Sequence, residues 1–448
     1  MRRKFDNQTT LFNIQNNSQI ARELEGMSLI LDANPGLLDL VFADITKNRR
    51  QDTGREGMSA EQVLRCAIVK QYRQLSYEEL EFHLEDSWAF RAFARLGLGQ
   101  YPCKSILQGN IKSITAETWE AVHQQILAHA MRTNIENGKQ VRLDTTVVES
   151  DIHHPMDSTL LEDGIRVVTK LLTAGKGLYP APAYAYADHT RVAKKRVTAI
   201  RNTKKATVRK KAYQDLLHYA NRVRGYLSGA LSELKKYDVL MVGSLVIEME
   251  RVDNLLAKVI DQTVRRVLKD EKVLAGDKVV SFFEDHTDII VKDKRETQFG
   301  HKIFLSGGAS GMILDCMIEK GNPADTTLYQ KMLDRHGEMY GKLPRQVSAD
   351  GGFASAENLE YAKSSGVKDA VFAKKRGLNV LEMAKSTWVY KKLRNFRAGI
   401  EACISVLKRA FGLDRCTWTG WDGFNRYVWS SVIAYNLLTM ARIGLSQG

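Results

Sequence analysis

The sequence predicts an α/β protein. A mixed sheet flanked by helices is preceded by an all-helical N-terminal domain and interrupted after its first strand by a large, basic, helical insert. Three observations carry this. The apolar period is helical from 58 to 132, becomes strand-like at 139–150, and returns to strands alternating with helices only after 276. Between the strand-bearing segments, residues 189–214 hold ten Lys or Arg and no acid. An aspartate, Asp144, stands mid-strand among β-branched neighbours, where aspartate is depleted.

Residues 1–57 read as an arm and linker. A polar start is followed by "LEGMSLILDANPGLLDLVF", a helix ending near Asn34-Pro35, and by the charged, glycine-punctuated linker "TKNRRQDTGREG" (46–57). Residues 58–135 form the helical domain. "SAEQVLRCAIVKQYRQ" opens with a capping box, Ser59 to Gln62, and "SYEELEFHLED" repeats the device at Ser76 and Glu79. Short consecutive helices of this kind suit a DNA-binding helix-turn-helix type, and suit a packing or dimerisation domain equally well.

"KQVRLDTTVVES" (139–150) is the first strand. Val141, Leu143, Thr145 and Val147 share one face; Arg142, Asp144 and Thr146 share the other. Residues 151–275 form the insert, with a proline- and aromatic-marked loop at 177–189. Ten cations without an anion repel one another unless a polyanion neutralises them. Lys194, Lys195, Arg196, Arg201, Lys204, Lys205, Arg209, Lys210 and Lys211 are therefore candidate phosphate contacts.

After 276, "KVVSFFEDHTDIIVKD" is ambiguous. Residues 300–322 read as a hairpin turning at Gly307-Gly308 and Ser310-Gly311. "ADTTLYQKMLDRHGEMYG" is a helix with Asp325 as its N-cap. "RQVSADGGF" is a strand ending in Asp350 and a diglycine turn, "SAENLEYAKSSG" a helix, "VKDAVFAK" a strand, and 394–411 a helix. On that last helix Ile400, Cys403, Ile404, Leu407 and Phe411 form the apolar stripe. Arg397, Glu401 and Lys408 fall within roughly 40° of one another on the polar side.

Composition narrows the partner. A length of 448 residues suffices for several domains. Five dispersed cysteines without a C-x-x-C fit reduced thiols better than a disulfide framework or a zinc site. No apolar run approaches the ~18 residues that span a bilayer, and the N-terminus turns polar at once, unlike a signal peptide. The expectation is a cytoplasmic, nucleoid-associated protein. The formal charge of +14 favours a polyanionic partner. A membrane surface is the weakest of these, because the basic run lacks a bulky apolar opposite face.

With the insert removed, the order is three strands, a helix, then alternating strand and helix. That is the order of the ribonuclease H-like fold, with the catalytic domain formed by 136–150 and 276–445. In such a sheet Asp144 and Asp350 are neighbours, and Glu401 lies on a helix packed over them. Three carboxylates converging without cations repel. Divalent ions in the gap make the arrangement sensible, and two of them about 4 Å apart serve in-line phosphoryl transfer.

These residues resemble the DDE transposases of bacterial insertion sequences, the group with the motif Y-(2)-R-(3)-E-(6)-K. Arg397, Glu401 and Lys408 match three of its four positions. The tyrosine position is Arg394, a departure, with Phe396 nearby. "LDTTVVES" and "SADGGFAS" resemble the two aspartate segments, and "QFGHKIFL" and "KGNPADTTL" the segments between. The resemblance covers about 58–440, and the ISNCY-like group is closest. The basic insert follows the first strand, whereas many relatives interrupt the fold before the glutamate helix. The resemblance implies Asp144, Asp350 and Glu401 as catalytic metal ligands for Mg²⁺ or Mn²⁺, with two ions. Arg397 and Lys408 would hold DNA phosphates. The partners would be double-stranded DNA, both terminal inverted repeats and target, bound by a homo-oligomer.

Other readings of the same residues stay open. Arg397 and Glu401 also suit a surface i,i+4 ion pair, and Asp144 could pair with Arg142. Glu149 and Asp151 are rival acids of different parity. His153-His154 could bind a transition metal, and His286 and Asp288 read as strand-edge polar groups. No P-loop and no Gly-x-Ser-x-Gly elbow is present. The functional alternatives are a ribonuclease H-like nuclease that cuts without joining, and a catalytically inactive, transposase-derived DNA-binding protein.

Overall fold

The computed structural model describes Lys4 and residues 18–47, 57–178, 181–291 and 296–447. Most of the 46–57 linker, and two residues of the 177–189 loop, lie outside them. The chain divides into two compact units, Met1–Ser150 with Gly300–Gly448, and Asp151–Phe299.

In the first unit the helical period produces Gln19–Asp32, Gly36–Thr46, Ala60–Tyr72, Tyr77–Asp86, Trp88–Phe93, Lys104–Ile111 and Ala116–Arg132. The first stops just before Asn34-Pro35. Both capping boxes form. Ser59 Oγ accepts from Gln62 N while Gln62 Oε1 accepts from Ser59 N, and Ser76 and Glu79 do the same. These helices pack with the C-terminal helix Gly420–Gln447, and one apolar core runs from Leu24 to Ala441. The C-terminal helix is apolar on all sides over "SSVIAYNLLTMA", so it needs cover on all sides. The N-terminal helices supply that cover. They therefore share a core with the sheet-bearing part of the chain.

The strands are β1 (Gln140–Glu149), β2 (Asp288–Ile290), β3 (Gln298–Gly307), β4 (Ile313–Ile318), β5 (Gln346–Ala349) and β6 (Asp369–Phe372). They form one mixed sheet in the order β2-β3-β1-β5-β6, with β4 beside β3. β1 is antiparallel to β3, and β3 to β4; β1, β5 and β6 run parallel. Helices Asp325–Tyr340, Ala356–Ser364 and Thr387–Ala410 connect or flank these strands. This is the α/β, ribonuclease H-like arrangement that the element order predicts.

The edge strand β4 is closed by a side chain. Asn436 Oδ1 accepts from Ile313 N at 2.9 Å, and its Nδ2 donates to Ile313 O at 2.7 Å. His123 Nε2 lies 3.0 Å from the same carbonyl. Burial lowers the His123 pKa to about 4, so the ring is neutral there. A sheet edge buried under helices needs such partners.

The second unit consists of helices Asp157–Lys176, Thr190–Asn202, Ala206–Leu234 and Val239–Thr263, with their own core. The unit runs to Phe299, past the expected insert boundary at 275. Val279 and Phe282 are buried in its core, and the Gln262 side chain bonds both backbone groups of Val279. Among the described residues of "KVVSFFEDHTDIIVKD", Asp288–Ile290 is the strand.

Asn436→Ala removes the side-chain acceptor of Ile313 N–H and leaves Ile313 O with His123 alone. The expected cost is about 2–3 kcal/mol, read as a lowered urea midpoint with unchanged slope. An unchanged midpoint would show that the edge is satisfied otherwise.

Candidate active site

β1 positions Asp144. It faces Leu305 of β3, and its neighbour Leu143 faces Ala349 of β5. Asp350, the next residue after β5, is held to the same strand: its N–H donates to Leu143 O at 3.2 Å. The Asp350 side chain then caps the 3-10 turn Gly351–Phe353. Gly352 leaves room for the Asp325 carboxylate, which a Cβ at that position would have to push aside.

Glu401 comes from Thr387–Ala410, which packs against β1, β5 and β6. Ile400, Cys403, Leu407 and Phe411 of the predicted stripe are buried, and Ile404 is half-buried. Two contacts fix the helix over the sheet. Ser348 Oγ donates to Leu393 O at 2.8 Å. Arg142 reaches up from β1 to donate to Phe396 O, its guanidinium 4.9 Å from the Phe396 ring. Gly399 makes room for it, since a Cβ there would collide with Arg142 Nη1. Arg142 is thus committed to the helix, not to Asp144.

The three carboxylates meet on one guanidinium. Arg397 Nη1 lies 3.0 Å from Asp144 Oδ2 and 3.5 Å from Asp350 Oδ1, and Nη2 lies 2.5 Å from Glu401 Oε1. The i,i+4 pair of Arg397 and Glu401 therefore exists, but the same arginine also reaches two aspartates on different strands. Its side chain is only 15% exposed, so it points into the cluster and not out toward solvent. Among the described residues, no three acidic, histidine or cysteine side chains are placed to hold one ion. The carboxylates close on Arg397 rather than on each other. Burial, then the nearby Asp350 and Glu401 charges, push the Asp144 carboxyl up to about 6; Thr145 N–H and Arg397 pull the other way.

By donor type and charge the set suits a hard divalent cation, with three carboxylates, one arginine between them and two negative charges in excess, although as placed the carboxylates surround Arg397 and not a single ion position. Two neighbours were not foreseen. Asp325 stands one residue inside its helix, and Ala324 is the cap. Its carboxylate accepts from Lys302 Nζ at 3.0 Å and lies 3.4 Å from Thr145 Oγ1, beside the Asp350 turn. Nothing in the sequence spacing pointed Lys302 at Asp325.

The remaining predicted residues lie elsewhere. Lys408 pairs with Asp414 at 3.1 Å near the end of the glutamate helix. Arg394, at the motif's tyrosine position, is exposed. In the second unit Lys194, Lys195, Arg201, Lys204, Lys205, Arg209, Lys210 and Lys211 are exposed. Arg196 is half-buried and pairs with Asp215 at 3.2 Å. His153 lies 3.3 Å from Asp163, and His154 meets Phe299 edge-on. His286 lies 2.8 Å from Glu284, both buried.

Two family models match. One, described as a transposase DDE domain, matches residues 285–437; the other, described as a transposase domain (DUF772), matches residues 18–112. Together they span more than half of the chain. The chain belongs to the DDE transposases. Comparison with curated proteins and with solved structures returned no match. The matched segments include Asp350 and Glu401; Asp144 and the basic run lie outside them. Neither description distinguishes a subgroup such as the ISNCY-like one. Membership brings a transposase function on DNA, and DDE transposases generally use divalent metals. No single helix among the described residues of this transposase is long and apolar enough to cross a membrane.

The raised Asp144 pKa has a stability consequence. Between about 4 and about 6, the unfolded carboxyl is ionised while the folded one stays protonated. Folding stability therefore falls as pH rises through that window and stays low above it. Asp144→Asn should raise stability at pH 8 by about 2–3 kcal/mol and change it little at pH 4. Urea unfolding at both pH values checks this; a loss of stability at pH 8 would mean that the Arg397 pair outweighs burial.

Proposed function

We propose that this transposase binds the ends of its element, cuts DNA there and joins the freed ends to a target, with Asp144, Asp350 and Glu401 as the catalytic carboxylates. The observation that carries this reading is their convergence on Arg397 from β1, from the end of β5 and from the helix over the sheet. The three would hold Mg²⁺ or Mn²⁺, two ions. When bound, these ions supply activation of the attacking oxygen and stabilisation of the leaving one.

The chain's own groups set the geometry. Backbone pairing fixes Asp144 and Asp350 side by side, whereas Glu401 sits on a more exposed helix face and has freedom to adjust. Arg397 neutralises part of the cluster's charge. Lys408 lies about two turns beyond Glu401, where it can meet a backbone phosphate. Water attacks a phosphodiester and releases a 3′-hydroxyl, which then attacks a target phosphodiester. Each step exchanges one phosphorus–oxygen bond for another, so no covalent enzyme intermediate is needed.

The second unit supports DNA binding by its own charge. Lys204, Lys205, Arg209, Lys210 and Lys211 cluster at the N-terminal end of Ala206–Leu234. A helix N-terminus disfavours cations, so this placement is favourable only with an anion nearby. The N-terminal helices add a further DNA contact. Joining two ends calls for a homo-oligomer.

The test is cleavage of a labelled duplex carrying the element's ends, by wild type and Glu401→Gln, with Mg²⁺ or EDTA. Wild type is expected to cut only with metal. The variant should cut at least about 100-fold more slowly while binding DNA equally. Strand-joined products identify transposition; cutting without them identifies the nuclease alternative. Equal cutting by both proteins would remove Glu401 from the mechanism, and binding without cutting would favour the inactive DNA-binding protein.

A further inference from the structure

At the far end of the glutamate helix lies a cavity of about 190 Å³, whose lining includes Lys70, Gln74, Lys408, Asp414, Arg415 and Tyr427. Lys70 belongs to the helix Ala60–Tyr72 and Gln74 to the turn that follows it, and the others to the segment after Glu401. Lys408 pairs with Asp414, which is largely exposed. The lining holds three cations and one carboxylate.

Lys70 is the unusual member. It is 5% exposed, and its ammonium donates to Leu75 O at 2.7 Å. The Tyr77 ring centroid lies 4.7 Å away and the Trp418 ring centroid 5.8 Å. No described carboxylate forms an ion pair with it; Glu79 acts only at longer range. Burial lowers its pKa to about 8. One carbonyl and two ring faces leave a buried ammonium under-compensated. An apolar residue would fill the same space at less cost, so packing does not account for the charge. An anion in the cavity does.

The cavity is tied firmly to the carboxylates. Glu149, the last residue of β1, donates to Asp414 O at 2.9 Å and accepts from Cys416 N at 2.7 Å, so residues 414–416 extend the sheet beside it. Gln71 Nε2 donates to Phe411 O, and Gln74 Nε2 to Arg409 O, which fixes the N-terminal wall. Seven residues of helix separate Glu401 from Lys408, about 10 Å. Five residues of strand separate Asp144 from Glu149, about 17 Å. One strand of duplex DNA rises 3.4 Å per nucleotide. A phosphate about three to five nucleotides from one at the carboxylates would reach the cavity.

We infer that this cavity is a DNA phosphate site, shared between the N-terminal helices and the catalytic region, in which Lys70 and Arg415 together with Lys408 hold one backbone phosphate a few nucleotides from the bond being cut. The inference rests on the transposase reading of Asp144, Asp350 and Glu401. It gives the N-terminal helices a direct part in placing the reacting strand.

The experiment uses the full chain and end-bearing duplexes in which single phosphates are replaced, one at a time, by neutral methylphosphonates. Binding is the readout, so the result does not depend on catalysis. In wild type, neutralising one phosphate three to five nucleotides from the scissile one should weaken binding about tenfold. In Arg415→Gln and Lys70→Met the same replacement should cost less than twofold, while the other positions keep their effects. Arg415 is exposed, so that variant carries the test if Lys70→Met does not fold. Inorganic phosphate competing as well as DNA for the cavity would replace the DNA assignment by a free-anion site. Cleavage by wild type with every phosphate equally sensitive in all three proteins would overturn the cavity and leave the carboxylates standing. No binding to any end duplex would overturn both.

Discussion

One guanidinium holds the candidate active site in its present form. Arg397 meets carboxylates from a central strand, from the turn after its parallel neighbour and from its own helix. Without it, burial and mutual repulsion would drive the acids to take up protons or move apart. Even with it, burial pushes the Asp144 carboxyl up to about 6. The cluster is electrostatically costly to the fold, which suits carboxylates kept for chemistry and not for stability. On the proposed function, a divalent cation and the guanidinium would compete for the same carboxylate oxygens, and Arg397 keeps the three acids together in the present arrangement.

The rest of the first unit keeps those three elements in register. Arg142, the parity mate of Asp144, spends its charge on the helix above, through Phe396 and the space at Gly399. Asn436 and His123 close the outer strand from the C-terminal and N-terminal helices. Gln71 and Gln74 join the N-terminal helices to the end of the glutamate helix. Helices from both ends of the chain thus brace the sheet that carries the carboxylates.

Much of this was legible in the sequence where the signal is local. Alternation and β-branching marked β1 and the β3–β4 hairpin. Ser59 with Gln62 and Ser76 with Glu79 marked helix starts, and the 3–4 spacing from Ile400 to Phe411 marked the buried face of the glutamate helix. What was not legible depends on long-range packing. The i,i+4 spacing of Arg397 and Glu401 fits a solvated pair as well as an inward-facing one; only the sheet beneath decides. Asp325 looks like a cap by residue type and lies one position off, because Lys302 draws its carboxylate toward the site. The segment 276–299 carries strand-like residues, yet Val279 and Phe282 are claimed by the helical core of the second unit. Lys70 reads as an ordinary helix lysine until residues more than 300 positions away wall it in.

The most direct test of the central claim is a crystal structure of the full chain with Mn²⁺, using its anomalous signal. The account predicts Mn²⁺ about 2.1 Å from carboxylate oxygens of Asp144 and Asp350, with the Arg397 guanidinium displaced from Asp144. Mn²⁺ bound elsewhere, or Arg397 retaining all three carboxylates at saturating Mn²⁺, would contradict it.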